Sequence, residues 1–130
     1  ENMEKICVDD AVKNHLAAGV PPEKLVMGLA FYGRGKKGFP RQRDLTRAHL
    51  VEGEYTFCWD SAAQVPYIAN GDGELVFGYE NEVSLALKGE YIVKNGLKGA
   101  MYWSYEGDNA SGDLRECVFK VINRKSERED

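Results

Sequence analysis

Two short apolar runs, each finishing in aromatic and charged residues, constrain this chain more than any other feature. The first is "KLVMGLAFYGRG", residues 24–35, and the second is "KGAMYWSYE", residues 98–106. Both have strand length and almost no polar alternation, the pattern of strands covered on both faces. Helical spacing flanks them. Ile6, Ala11, Val12, His15 and Leu16 predict a helix over residues 3–18, stopped by Gly19 and barred from continuing by Pro21 and Pro22. Asn81 reads as the N-cap of a second helix carrying Val83, Ala86, Leu87 and Tyr91, ended by the Asn-Gly pair at 95–96. Leu114, Cys117, Val118, Val121 and Ile122 share one face of a third helix over 113–123, with Ser111 or Asp113 as its cap.

The resulting order is helix, strand, excursion, helix, strand, helix. It implies parallel strands joined by crossovers, and so an α/β fold. Two parallel strands do not make a self-sufficient core, so the pattern reads as the last quarter of a larger sheet. Such a piece is expected to leave apolar residues such as Leu25, Met27 and Met101 exposed, and either to self-associate through its open edges or to remain partly disordered with the excursion its best-ordered part. The stretch between the strands differs in texture. Residues 35–80 hold glycine-punctuated segments, short aromatic pieces such as "GEYTFCWD" and "ELVFGYE", and a strong turn signal, "NGDG", at 70–73. This predicts an excursion carrying its own small antiparallel sheet.

Composition removes several function classes. The 130 residues are 43% hydrophobic and 29% charged, a balance suited to one globular domain. A net charge of −4 speaks against nucleic-acid binding, and the basic run "RGKKGFPRQR" reads as a solvated loop. No apolar run has membrane-spanning length, and "ENMEKI" has no signal-peptide character. Cys7, Cys58 and Cys117 lack metal-ligand spacing and read as buried free thiols, with one disulfide left open. His15 and His49 join no motif, so no metal or cofactor is expected.

The strand tips carry the chemistry. In a closed barrel of alternating strands and helices, the carboxyl ends of the strands form the active-site rim. Tyr32 and Arg34 would stand there beside Trp103, Tyr105 and Glu106. A flat indole with phenols and charged groups nearby suits a sugar ring, whose C–H face packs on the aromatic while its hydroxyls take hydrogen bonds. Ordinary core aromatics at a strand end are the competing reading. Gly33 and Gly35 flank Arg34 and let the backbone turn so that the guanidinium points over the barrel mouth. Arg34 is expected to be exposed or bonded to Asp60 or Glu106, unless it belongs to the surface basic run.

These segments together, with "WDSAAQVPY" and "FGYENEVSLALKGEYIVKNGLKGAMYWSYEGDNASGDL", resemble the C-terminal part of the family 18 glycoside hydrolases, the chitinase-like (β/α)8 barrels. The resemblance runs from about residue 12 to residue 122. It implies an α/β fold, a C-terminal fragment of a (β/α)8 TIM barrel with a small α+β insertion. Residues 1–34 would hold a helix and barrel strand seven (25–32), and 35–80 the insertion. Residues 81–123 would hold a helix, strand eight (99–103) and the terminal helix, and 124–130 a polar tail. Carried over by position, Trp103 is the hydrophobic floor under the minus-one sugar, and Tyr32 and Arg34 line the cleft. Trp59, Asp60 and Tyr67 come from the insertion, where Asp60 and Tyr67 serve equally well as internal struts. Glu106 and Asp108 stand where the family often has acids, although "YEGD" is looser than the chitinase wording.

The resemblance also defines an absence. The family's proton donor ends a D-x-x-D-x-D-x-E run on strand four, and no such run occurs in these residues. Tyr32, Arg34 and Trp103 cannot replace a carboxylic acid, and Glu106 alone does not rebuild the constellation. The implied partner is an oligosaccharide containing N-acetylglucosamine, chitin or a glycoprotein glycan, and the implied location of the parent is extracellular or periplasmic. Three readings stay open: part of a chitinase-like hydrolase whose acid lies elsewhere, a lectin-like barrel that binds glycan without cutting it, and a structural or interaction module.

Overall fold

The computed structural model describes residues 7–35 and 55–124. The first half of the proposed insertion, the basic run beyond Gly35, the residues before Cys7 and the end of the polar tail lie outside the described residues.

Helix α1, Val8–Ala17, begins at Cys7, whose sulfur accepts the amide of Asp10, and Asp9 and Asp10 place negative charge on its first turn. Gly19, at φ +90°, breaks it, and a single turn at Pro22–Lys24 leads into β1, Val26–Ala30. After a two-residue strand β2, Arg34–Gly35, the described chain resumes with β3 (Tyr55–Asp60), β4 (Val65–Asn70) and β5 (Leu75–Gly78). Helix α2, Glu82–Lys94, starts with a reciprocal capping box: the Ser84 amide donates to the Asn81 side chain, and the Asn81 amide donates to Ser84 Oγ, each at 2.9 Å. Strand β6, Gly99–Trp103, and helix α3, Asp113–Ile122, complete the order.

Two sheets result. Strands β1 and β6 pair in parallel with Val26 opposite Gly99 and Ala30 opposite Trp103, and Phe31 N–H extends the ladder to the Trp103 carbonyl at 2.8 Å. Strands β2, β5, β4 and β3 form an antiparallel sheet in that order. The described part of the insertion is therefore sheet alone, and the helical part of that expectation concerns residues outside the description.

The main core lies between the parallel pair and the helices. Met27, Leu29 and Phe31 of the first apolar run meet Val12 of α1, Leu85 and Ile92 of α2, Leu97, and Val118 of α3. Phe31 stacks on Tyr102 with ring centroids 4.4 Å apart. Helices α2 and α3 approach so closely that a Cβ on Gly89 would stand 2.8 Å from Val121 Cγ1. A smaller core of Ile68, Val76 and Phe77, with Tyr55 and Tyr79 against it, holds the second sheet.

Three expectations need correction. Strand β1 is covered on one face only: Met27 and Leu29 are buried, whereas Val26 and Gly28 are exposed. The helices occupy one side of the pair, and the opposite side is the one that faces the interior of a closed barrel. For the same reason Met27 is buried and Leu25 half-buried, so of the three residues expected on the surface only Met101 is exposed. The cap of α3 is neither Ser111 nor Asp113. Asp108 Oδ1 and Oδ2 accept the Leu114 and Arg115 amides, and Asn109 Oδ1 accepts those of Gly112 and Asp113.

Candidate functional site

At the carboxyl end of the parallel pair, the alternation of β6 turns Tyr102 into the core and Met101 and Trp103 away from it. Trp103 is 69% exposed. The Trp103–Ser104 peptide bond is cis, and a short turn at Tyr105–Gly107 follows. This turn rests on the end of β1. A Cβ on Gly107 would fall on the Phe31 carbonyl oxygen, so the close approach requires glycine there. Tyr105 is 67% exposed, and Glu106 is exposed beside it.

Asp108 closes the turn. Its buried carboxylate accepts the amides of Asn109 (2.9 Å), Leu114 (3.0 Å) and Arg115 (3.0 Å), and Arg115 Nε lies 3.5 Å from Oδ2. Of the two acids after the tryptophan, this one is committed to joining the rim to α3. Arg115 was not among the sequence-derived candidates. Its i+7 spacing from Asp108 matches no regular period, although an Asp-Asn pair ahead of an apolar helix is a recognisable capping signal.

A second group forms where β1 hands over to the antiparallel sheet. A Cβ on Gly33 would run into the Phe77 ring, and one on Gly35 into Phe77 and the Val76 carbonyl. The two glycines thus let the chain cross Phe77 and set Arg34 opposite Gly78. Arg34 is exposed, with its guanidinium carbon 5.5 Å from the centre of the Tyr32 ring. Tyr32, Arg34, Asp60, Tyr67, Tyr79 and Glu80 line a cavity of about 330 Å³.

Within that cavity the groups are held differently. Asp60 Oδ1 accepts the amides of Ala62 (2.9 Å) and Ala63 (3.0 Å), so it braces the β3–β4 turn. Hydrogen bonding to Cys58 raises the pKa of the Tyr67 phenol, and burial raises that of Tyr79. The buried Glu80 pairs with Lys88 of α2, tying the cavity wall to the helix layer. Tyr79, Glu80 and Lys88 were missed in the sequence because each sits in an ordinary strand-end or helical pattern.

Of the expected site residues, Tyr32, Arg34, Asp60 and Tyr67 are brought together around one cavity. Trp103, Tyr105 and Glu106 form a separate group on the β6 rim. The link is Ala30, which lines the cavity and pairs with Trp103. Trp59 lies on β3 opposite Pro66 and does not line this cavity. Cys7, Cys58 and Cys117 are free and half-buried, and burial raises the Cys117 pKa.

Parallel strands separated by an antiparallel excursion, with helices on one face and aromatic residues at the strand tips, define part of an α/β barrel with an insertion after one strand. The chain belongs to the glycosyl hydrolases family 18, whose pattern residues 1–108 match. It is 32% identical to chitinase A1 of Niallia circulans over 74% of its own length and 17% of that protein. To a probable endochitinase of the Orgyia pseudotsugata multicapsid polyhedrosis virus it is 26% identical, over 95% of the chain and 26% of the relative. Among solved structures, a cell-surface-expressed multi-modular chitinase from a Paenibacillus species superposes with a TM-score of 0.74 at 33% identity. That match covers 95% of this chain and 12% of the other. The Group IV chitinase of Ostrinia furnacalis in complex with allosamidin superposes with a TM-score of 0.75 at 27% identity, over 90% of this chain and 40% of that one. The chain thus spans well under half of the length of each of these relatives, and among the described residues there is no closed barrel. The α/β fold and the family resemblance read from the sequence both stand.

Proposed function

We propose that this chain supplies the strand-seven and strand-eight side of the sugar cleft of a chitinase-like glycoside hydrolase acting on β-1,4-linked N-acetylglucosamine polymers or glycans. The proton donor comes from elsewhere in the same barrel. The observation that carries the reading is Trp103, a large aromatic left 69% exposed at the carboxyl end of a parallel strand, on the face turned from the helices. Tyr32 and Arg34 stand at the neighbouring strand tip, where a guanidinium and phenol can take sugar hydroxyls. Trp59, Asp60 and Tyr67 are proposed as the insertion's wall, and Tyr105 and Glu106 as the outer lip. The cell-surface expression of the Paenibacillus chitinase supports an extracellular or periplasmic location for the parent.

The test is Trp103→Ala in the complete barrel that carries this segment, with binding of chitotetraose measured by calorimetry. Loss of the stacking face costs roughly 1–3 kcal/mol of binding. Undiminished affinity in a normally folded variant rejects the assignment. The chain alone is expected to leave chitotetraose uncut at every pH, and mutation-sensitive turnover would mean that it holds a catalytic acid. The strand-four sequence of the parent separates hydrolase from lectin.

One observation favours a second behaviour for the isolated chain. Among the described residues, strands β1 and β6 have only each other as neighbours in their sheet, with Val26, Met101 and Trp103 exposed beside its two edges. Self-association through those edges follows. A concentration-independent monomer in sedimentation equilibrium refutes it.

A further inference from the structure

We propose that Arg115 is a positioning residue for the sugar site, acting through Tyr105, and that Asp108 holds it in place. The inference rests on the reading of the β6 rim as a saccharide site and adds to it the device that gives the rim a fixed edge. Three features meet at Arg115. Its guanidinium carbon lies 4.1 Å from the centre of the Tyr105 ring, covering one face of a side chain otherwise 67% exposed. Its Nε faces the buried Asp108 carboxylate at 3.5 Å, while its own backbone amide donates to the same oxygen at 3.0 Å. The space it occupies is kept clear by Gly112, at φ +77°, where a Cβ would fall on the guanidinium.

The physical consequence is a loss of freedom at one aromatic ring. An exposed tyrosine on a short turn samples several rotamers, and a ligand that needs one of them must overcome that entropy. A cation against one face lowers the energy of a single rotamer and leaves the other face open. The planar guanidinium can stack on the ring and face the carboxylate at once, which an ammonium cannot do. Tyr105 is thereby held as a standing wall next to the Trp103 floor. Such a wall contacts sugar equally before and during the reaction, so it governs KM and not kcat.

The experiment is steady-state hydrolysis of chitotetraose by the complete barrel that carries this segment, comparing the parent with Arg115→Ala, Arg115→Lys, Tyr105→Ala, Trp103→Ala and the Arg115→Ala/Tyr105→Ala double variant. Arg115→Ala is expected to raise KM about three- to tenfold with kcat within about twofold. Arg115→Lys, which keeps the charge beside Asp108, is expected to restore part of the loss and carries the test if Arg115→Ala does not fold. In the Tyr105→Ala background, removing Arg115 is expected to change KM no further. An unchanged KM in Arg115→Ala, a fall in kcat alone, or a full Arg115 effect persisting without Tyr105 each overturns the proposal. Trp103→Ala separates the two levels. If it raises KM while Arg115→Ala does not, only the positioning role fails. If it leaves KM unchanged, the sugar-site reading itself fails.

Discussion

Asp108→Asn isolates what the buried carboxylate does for the fold. The substitution keeps size and shape and leaves one oxygen to accept hydrogen bonds. In the native protein Oδ1 accepts the Asn109 and Leu114 amides, while Oδ2 accepts the Arg115 amide and faces Arg115 Nε. An amide can satisfy the first pair or the second, and its NH2 group then confronts donors at the other. A hydrogen bond to a charged group contributes about 1.5–3 kcal/mol, and an N-cap contact of this type about 1 kcal/mol. Losing one charged acceptor and weakening the other therefore costs about 2–4 kcal/mol. With a urea slope near 2 kcal/mol per molar, the unfolding midpoint falls by about 1–2 M. The assay is urea denaturation followed by far-UV circular dichroism, with Asp113→Asn as the matched control. Among the described residues Asp113 accepts one side-chain bond, from Asn109 at 2.6 Å in an exposed setting, so the control is expected to stay within about 0.5 kcal/mol. Equal midpoints for Asp108→Asn and the parent would refute the reasoning, because the junction between rim and α3 would not then depend on an anion.

The remaining expectations test other joints. Gly89→Ala presses a methyl to 2.8 Å from Val121 Cγ1 between α2 and α3, and a stability loss of about 1–3 kcal/mol by urea titration is expected. Gly107→Ala sets a Cβ against the Phe31 carbonyl and lifts the rim turn off β1; weaker chitotetraose binding by the complete barrel, with a changed near-UV spectrum, is the expected readout. Tyr91 donates to Asp9 at 2.8 Å, and burial first, then this bond, pushes its phenol up to about 12. A raised phenol stabilises the fold fully below its ordinary value of 10.0, and the contribution is lost as pH climbs from 10 to about 12. Tyr91→Phe should remove that alkaline loss, seen as a flatter urea midpoint across this window. Asp9 is held low first by Lys13, then by Tyr91, so its contribution is present above its ordinary value and disappears as pH falls through the lowered one. Asp9→Asn should flatten the acid limb in the same assay.

Local chemistry was legible where it is local. Gly19 followed by Pro21 and Pro22 ends α1, Asn81 caps α2, and the Asn-Gly pair at 95–96 closes it, since each acts within one turn of chain. The apolar bodies of the two parallel strands, and the one-sided face of α3, were likewise readable from residue spacing. With the collinear segments, these sufficed for the α/β fold and the family. Burial was not readable in the same way. "KLVMGLAF" reads as covered on both sides, yet Val26 stands exposed while Met27 is buried, because coverage depends on which elements lie against each face. The candidate residues were chosen by type and position. Nothing in their spacing told that Tyr32, Arg34, Asp60 and Tyr67 share a cavity while Trp103 and Tyr105 stand on a separate rim. Nor could the sequence single out Arg115 or Lys88. Each acquires its meaning from an acid, Asp108 or Glu80, seven or eight residues earlier and ahead of its own helix, a spacing that follows no regular period. The sequence by itself determined where elements start, stop and turn, since those signals act over a few bonds. Which acids are consumed as braces was set by turn and cap geometry over a few residues that no periodic spacing reveals. Which aromatics are left to face a ligand was decided only by the tertiary packing, through contacts between elements remote in the chain.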